Sequence, residues 1–196
     1  MPRVPRIYTE EGIFHIITRG NNKQYVFHDR KDFAAYKRII KTIKVEQPFN
    51  LYHWCLMGNH IHLIIEANKK TELSKLMKRL NLLYFVFYKK KYGYAGHFWQ
   101  DRFKSLLIQK ENYLMACGLY IEKNPVKASI VANPKDYPHS SYNYYAYGEK
   151  DSLTDRDPCY NDLGRTDTER QMQYRKLTVD EEISSSIMLP RIQTTG

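Results

Sequence analysis

The sequence predicts an α+β fold: a ferredoxin-like antiparallel sheet with helices packed on one face. Three observations predict it. Stretches rich in β-branched and aromatic residues alternate with stretches of helical periodicity. Two of the strand stretches meet at a two-residue turn, and the resulting order, β-α-β-β-α-β-α, sets that hairpin in the middle of the chain. With 196 residues, 42% of them hydrophobic and 14% aromatic, the chain is long enough for one domain with a full core plus an extension, and short for two.

In order, residues 12–18 (Gly-Ile-Phe-His-Ile-Ile-Thr) read as a strand that ends in the turn cluster Arg19-Gly20-Asn21-Asn22. From Asp29 to Gln47 the apolar residues Phe33, Tyr36, Ile40 and Ile43 recur at helical spacing, and Pro48 follows the stop. Residues 50–57 and 60–66 are strands joined at Gly58-Asn59. Residues 71–91 carry Leu73, Leu76, Met77, Leu80, Leu83, Tyr84 and Phe87 along one side of a helix. That helix ends in Lys89-Lys90-Lys91, where cations interact favourably with its dipole. A Gly/Tyr-rich loop precedes a strand at 103–109, a helix at 111–123 is closed by Asn124-Pro125, and a short helical turn follows at 126–131. Beyond residue 148 the composition turns polar and acidic, with a helix expected at 167–186. The chain thus divides into a 1–148 body and a 149–196 extension, expected as a partly helical or disordered appendage.

Composition narrows the function. No run approaches the roughly 18–20 apolar residues that span a bilayer, and the basic start leads into no signal-peptide segment. Three cysteines, Cys55, Cys117 and Cys159, are an odd count without C-x-x-C spacing. They argue against a disulfide framework or a zinc knuckle and fit a reducing cytoplasm. The net charge is +10, unevenly placed: residues 1–148 hold 24 Lys and Arg against 11 Asp and Glu, and residues 149–196 hold 7 against 10. A basic body of this kind suits a polyanionic partner, and nucleoid association is expected.

The chemistry-bearing stretch is Asn59-His60-Ile61-His62-Leu63-Ile64-Ile65. Strand side chains alternate, so His60 and His62 share one face while Ile61, Leu63 and Ile65 turn to the core. Two neutral imidazoles roughly 7 Å apart on the open face can converge on one divalent metal; the competing reading is two polar residues on a solvated strand. On the 111–123 helix, Tyr120 and Asn124 stand at i, i+4 and share a face, opposite Leu114, Cys117 and Ile121. An Asn-Pro helix stop and a packed tyrosine explain the pair equally well, and residue chemistry alone does not single out Tyr120 among 17 tyrosines.

Four blocks in one order carry a resemblance. Residues 56–64, Leu-Met-Gly-Asn-His-Ile-His-Leu-Ile, resemble the histidine–hydrophobe–histidine motif of single-tyrosine transposases. Residues 15–22 (His-Ile-Ile-Thr-Arg-Gly-Asn-Asn), 96–105 (Gly-His-Phe-Trp-Gln-Asp-Arg-Phe-Lys-Ser) and 120–128 (Tyr-Ile-Glu-Lys-Asn-Pro-Val-Lys-Ala) resemble the branch that includes the REP-associated tyrosine transposases and insertion-sequence relatives. The likeness runs from about residue 5 to 145. It implies that Tyr120, five residues before the Asn-Pro proline, is the nucleophile, and that Asn124 completes a metal site with His60 and His62. Some insertion-sequence relatives place Gln there, a longer arm. The implied cofactor is Mg²⁺ or Mn²⁺, and the implied reaction is nicking and joining of single-stranded DNA at hairpin ends through a 5′-phosphotyrosine. A phenol ordinarily titrates near pH 10 and needs help from the metal and basic residues to attack. Tyr113, two turns up on a similar face, is the rival nucleophile. The implied partner is single-stranded DNA with hairpins or palindromic repeats; the resemblance leaves monomer and homodimer open.

Several groups are placed to hold that DNA. The basic helix (Lys69, Lys70, Lys75, Lys78, Arg79, Lys89, Lys90 and Lys91 against Glu72) is a candidate phosphate track, with an ordinary solvated helix face as the competing reading. Arg19, Asn21 and Asn22 are short polar arms suited to base edges. Trp99, beside Gln100 and Arg102, reads equally as a stacking surface or a core residue, and Lys104 and Lys127 add charge in the third and fourth blocks. Two readings from other classes compete: a non-catalytic DNA-hairpin-binding protein and a structural-metal RNA-binding domain.

Overall fold

A computed structural model describes residues 12–67, 71–108 and 111–179. Strand β1 (Gly12–Arg19) leads through a 3₁₀ turn (Asn21–Lys23) to helix α1 (Arg30–Glu46), whose start is fixed by reciprocal capping between Asp29 and Asp32. Strands β2 (Asn50–Met57) and β3 (His60–Ala67) form the expected hairpin around Gly58-Asn59. Helix α2 (Leu73–Tyr92) ends at Gly93 in the left-handed region, φ 64°. Strand β4 (Lys104–Ile108) precedes α3 (Glu111–Glu122), α4 (Asn124–Lys127), α5 (Tyr142–Tyr147) and α6 (Asp167–Val179). The sheet is antiparallel in the order β2-β3-β1-β4.

The α+β class and the antiparallel sheet are as expected, and α1 and α2 form the one-face layer. Phe14, Ile16, Trp54, Leu56, Ile61, Leu63 and Ile65 of the sheet are buried with Tyr36, Ile40 and Ile43 of α1 and Leu76, Met77, Leu80 and Tyr84 of α2. The opposite face is covered too. There Cys55, Met57 and Ile64 pack with Leu114, Cys117 and Ile121 of α3. The histidine face expected to lie open is therefore roofed by α3.

The division at residue 148 does not mark a packing boundary. Leu153 is buried in the main core. The Trp54 indole donates to Thr154 Oγ1 at 2.9 Å, and Asp155 Oδ2 accepts from the Leu51 amide at 2.7 Å. Tyr160 and Tyr174 pack with Tyr142, Tyr145, Met115 and Leu119. The polar composition of this stretch hides a few aromatic and acidic side chains whose partners lie on α3 and β2. The helix expected at 167–186 is found over Asp167–Val179, and its remaining residues lie outside those described. Among the described residues no helix is long and apolar enough to cross a membrane.

Candidate functional site

Strand register builds the site row by row. Met57, His60 and Arg19 lie side by side across β2, β3 and β1, and the next row is Cys55, His62, Ile17 and Lys104. Parity puts both histidines on the α3 face, as the alternation of His60 and His62 requires. Their ring centroids are 5.0 Å apart and nearly perpendicular.

Both imidazoles have Nδ1 engaged. His60 Nδ1–H donates to Asn59 Oδ1 at 2.6 Å, which leaves Nε2 as a bare lone pair. His62 Nδ1 shares a 2.9 Å hydrogen bond with His15 Nε2, and the two rings are stacked. Burial, reinforced by the Arg19 charge, pushes His60 down to about 4. Burial, then the neighbouring His15, His60 and Arg19, holds His62 well below the usual histidine range. Burial brings His15 to about 4 as well. The pair is neutral at pH 7, with ring nitrogens available as ligands.

Helix α3 brings the second half. Tyr120 is half-buried and packs against the cluster that contains Cys55 and Met57, the neighbours of the two histidines across the hairpin. The Lys127 Nζ lies 4.0 Å from the centroid of its ring. Burial, with Lys123 nearby, lowers Lys127 below the usual lysine range. Tyr113 sits near the other end of α3 and is exposed.

Asn124 departs from the sequence reading in one respect. It does not continue the helix of Tyr120: α3 ends at Glu122 and Asn124 opens α4, because Pro125 lacks the N–H and its ring obstructs the preceding turn. Lys123 stays in the right-handed region (φ −81°, ψ −7°), so the chain carries Asn124 onward instead of turning it away. The Asn124 Nδ2 is buried with no hydrogen-bond partner among the described residues.

The proposed DNA contacts separate into two groups. Arg19 and Lys104 share the histidine rows, Lys127 covers Tyr120, and Asn21 and Asn22 follow β1 directly. Arg102 is exposed just before β4. In contrast, Lys75, Lys78 and Arg79 lie on α2, across the sheet from the histidines, where Lys75 pairs with Glu72 at 2.7 Å and Arg79 with Glu46 at 2.6 Å. Lys69 and Lys70 fall outside the described residues. Trp99 is half-buried: its indole packs on Tyr84 and Phe98 and donates to the Asn81 carbonyl at 3.2 Å. The backbone beside it does serve the site, since Gln100 N donates to Arg19 O at 2.9 Å and extends the sheet past β1.

Three features escaped sequence reasoning: His15, Asn59, and a buried cluster of His53, Glu122 and Asp157. The alternation His15-x-Ile17-x-Arg19 puts His15 on the Arg19 face, but only the observed register brings it to His62.

Residues 9–124 match the family model described as Transposase IS200 like. A Haemophilus influenzae protein, named provisionally as a REP-associated tyrosine transposase, is 29% identical over 157 residues, which cover 72% of this chain and 86% of that protein. The solved structure of a REP-associated tyrosine transposase bound to a REP hairpin superposes with a TM-score of 0.65 at 20% identity, covering 80% of this chain and 98% of that one. That likeness shows a shared fold.

Proposed function

The chain belongs to the IS200-like transposase family, and from that premise we propose that it cuts and rejoins single-stranded DNA at hairpin ends, with Tyr120 as the nucleophile. One observation supports this most: a neutral histidine pair presenting ring nitrogens, on the sheet face covered by α3, with Tyr120 near the end of that helix and, at the start of α4, a buried Asn124 Nδ2 that has no hydrogen-bond partner among the described residues.

The residues present fit a divalent cation, Mg²⁺ or Mn²⁺. Two imidazoles and an amide oxygen are a sound partial ligand set. The Asn124 Nδ2 has, among the described residues, no hydrogen-bond partner that turning the amide oxygen to a cation would break. Among the described residues no group of three or more His, Cys, Asp or Glu is placed to hold a metal ion, and a set of two imidazoles and one amide oxygen would leave positions for phosphate and water. When bound, such a cation supplies charge neutralisation at the scissile phosphate.

The chain's own residues do the rest. The Tyr120 hydroxyl gives up its proton and its oxygen bonds to phosphorus. The bond from phosphorus to the 3′ oxygen breaks, and that oxygen takes a proton to leave as a 3′-OH. Lys127, over the Tyr120 ring, stabilises the negative charge that develops there. The 5′-phosphotyrosine keeps the phosphodiester energy, so the reverse attack by another 3′-OH rejoins strands without ATP. Arg19, Lys104 and the Asn21-Asn22 turn would hold the strand, and the hairpin as substrate is supported by the hairpin in the solved relative.

Hairpin oligonucleotides labelled at the 3′ end, incubated with Mn²⁺ and run on a denaturing gel, test this. A labelled adduct is expected from the wild type and none from Tyr120→Phe, and chelator should abolish cutting while weakening binding less. Hairpin binding with no adduct under any condition would instead support the non-catalytic DNA-binding reading.

A further inference from the structure

We propose that a buried Glu122–His53–Asp157 clamp is the positioning device that sets the end of α3, with Tyr120 and Asn124, over the histidine pair, and that residues 150–179 thereby act in the cutting reaction. The inference rests on the reading of Tyr120 given above.

It begins in the sheet. A bulge shifts β2 against β3 so that Leu51 opposes Ile65 while His53 opposes Ile64. Strict alternation would turn His53 to the α1/α2 face with Leu51; the extra residue re-aims it to the α3 face. There it is fully buried between two carboxylates. His53 Nδ1 donates to Glu122 Oε1 at 3.0 Å and Nε2 donates to Asp157 Oδ2 at 2.9 Å. With a donor needed at both ring nitrogens, the imidazolium form fits the site.

The remaining carboxylate lone pairs are also used. Glu122 accepts from Ser141 Oγ at 2.5 Å and Tyr174 OH at 2.6 Å, and Asp157 Oδ1 accepts from the Cys159 amide at 2.7 Å. One residue each from β2, α3 and the 150–179 segment makes the core of the clamp, and α6 supplies Tyr174. Helix α3 also rests directly on the ring, since a Cβ at Gly118 would lie 2.5 Å from His53 Nδ1 and Cε1.

The placement speaks for positioning. Glu122 is the last residue of α3, two residues after Tyr120 and two before Asn124, where the helix breaks at Lys123 and would otherwise fray. Burying three charged groups gains little stability over well-packed apolar side chains. What it does provide is a unique geometry, because charged groups in a low-dielectric interior tolerate one arrangement of partners.

Asp157→Asn removes one carboxylate while keeping its volume, and Tyr174→Phe removes one hydrogen bond to Glu122 with the ring retained. Three readouts decide the matter: backbone amide exchange, hairpin affinity and the single-turnover rate of adduct formation. For Asp157→Asn, exchange of the 117–124 amides should rise about tenfold or more, the scale of one lost hydrogen bond to a charged group. Sheet amides and hairpin affinity should stay within about twofold, and the adduct rate should fall by about tenfold or more. Tyr174→Phe should show the same pattern more weakly, and it decides the question if Asp157→Asn does not fold. Uniform exchange across the fold, or local loosening with an unchanged adduct rate, overturns the clamp as a positioning device. If the wild type forms no adduct, the nucleophile reading fails, and the exchange pattern still tells whether the clamp holds α3.

Discussion

Gly118→Ala sets helix propensity against packing. In the interior of α3 an alanine gains up to about 1 kcal/mol over glycine by propensity. The contact with His53 opposes that gain. The new methyl would sit 2.5 Å from two ring atoms, where ordinary contact begins at 3.4 Å, so ring or helix must give by close to 1 Å. The ring is held on both sides, at 3.0 Å by Glu122 and 2.9 Å by Asp157, so it cannot swing away without breaking a bond to a buried carboxylate. Overpacking costs about 1–3 kcal/mol and a broken buried pair about 3–5 kcal/mol, so the net expectation is a loss of about 2–4 kcal/mol. In a domain of this size that lowers the thermal midpoint by roughly 5–15 °C. Equilibrium denaturation measures it. A His53→Ala background supplies the control, because the methyl then has room and Gly118→Ala should be neutral or stabilising there. An unchanged or raised midpoint in the single variant, or an equal loss in both backgrounds, would refute the reasoning.

Three further predictions follow from the titrating groups and the charge placement. Burial alone would lower His53, but its hydrogen bonds to the Asp157 and Glu122 carboxylates outweigh it and raise the group to about 9. Its contribution, up to about 3 kcal/mol, is fully present below the unfolded value near 6.5 and is lost as pH rises through 9. His15, His60 and His139 are lowered to about 4, chiefly by burial, so the unfolded chain binds more protons than the folded one as pH falls from 6.5. The midpoint should therefore peak near pH 7, where the three lowered histidines and His53 balance, and decline on both sides; a plateau from pH 7 to 9.5 would show that His53 is not charged in the fold. His15→Phe strips the partner from His62 Nδ1 and should weaken Mn²⁺ binding, measured by calorimetry, by about 10–100-fold, whereas unchanged affinity would exclude His15 from orienting His62. Lys104→Gln should weaken hairpin binding and reduce the salt slope by about one, while Lys75→Gln, on the far layer, should do neither; an effect at Lys75 and none at Lys104 would place the DNA on α2 instead.

Much of the fold was legible because its signals are local. The Gly58-Asn59 turn fixed the hairpin, and the alternation of Ile61, Leu63 and Ile65 against His60 and His62 told which side enters the α1/α2 core. The four co-linear blocks pointed to the family. What stayed hidden depends on tertiary register. Parity says that two histidines share a face but not that α3 covers it, which leaves His62 only 7% exposed. The bulge at Leu51/His53 breaks the alternation on which any sequence reading of β2 rests, so the clamp could not be anticipated. Charge density marked α2 as a phosphate track, yet density does not say which layer a helix joins, and its lysines end up across the sheet from the site. The packing of the Trp99 ring against Tyr84 depends in the same way on tertiary placement.

The central claim is that Tyr120 becomes covalently joined to DNA. The direct measurement is to trap the Mn²⁺-dependent adduct on a hairpin oligonucleotide, digest protein and DNA, and locate the nucleotide by mass spectrometry. A 5′-phosphotyrosine is expected on the peptide carrying Tyr120 and on no other tyrosine. A nucleotide on Tyr113, or hairpin bound tightly with every tyrosine unmodified, would contradict it.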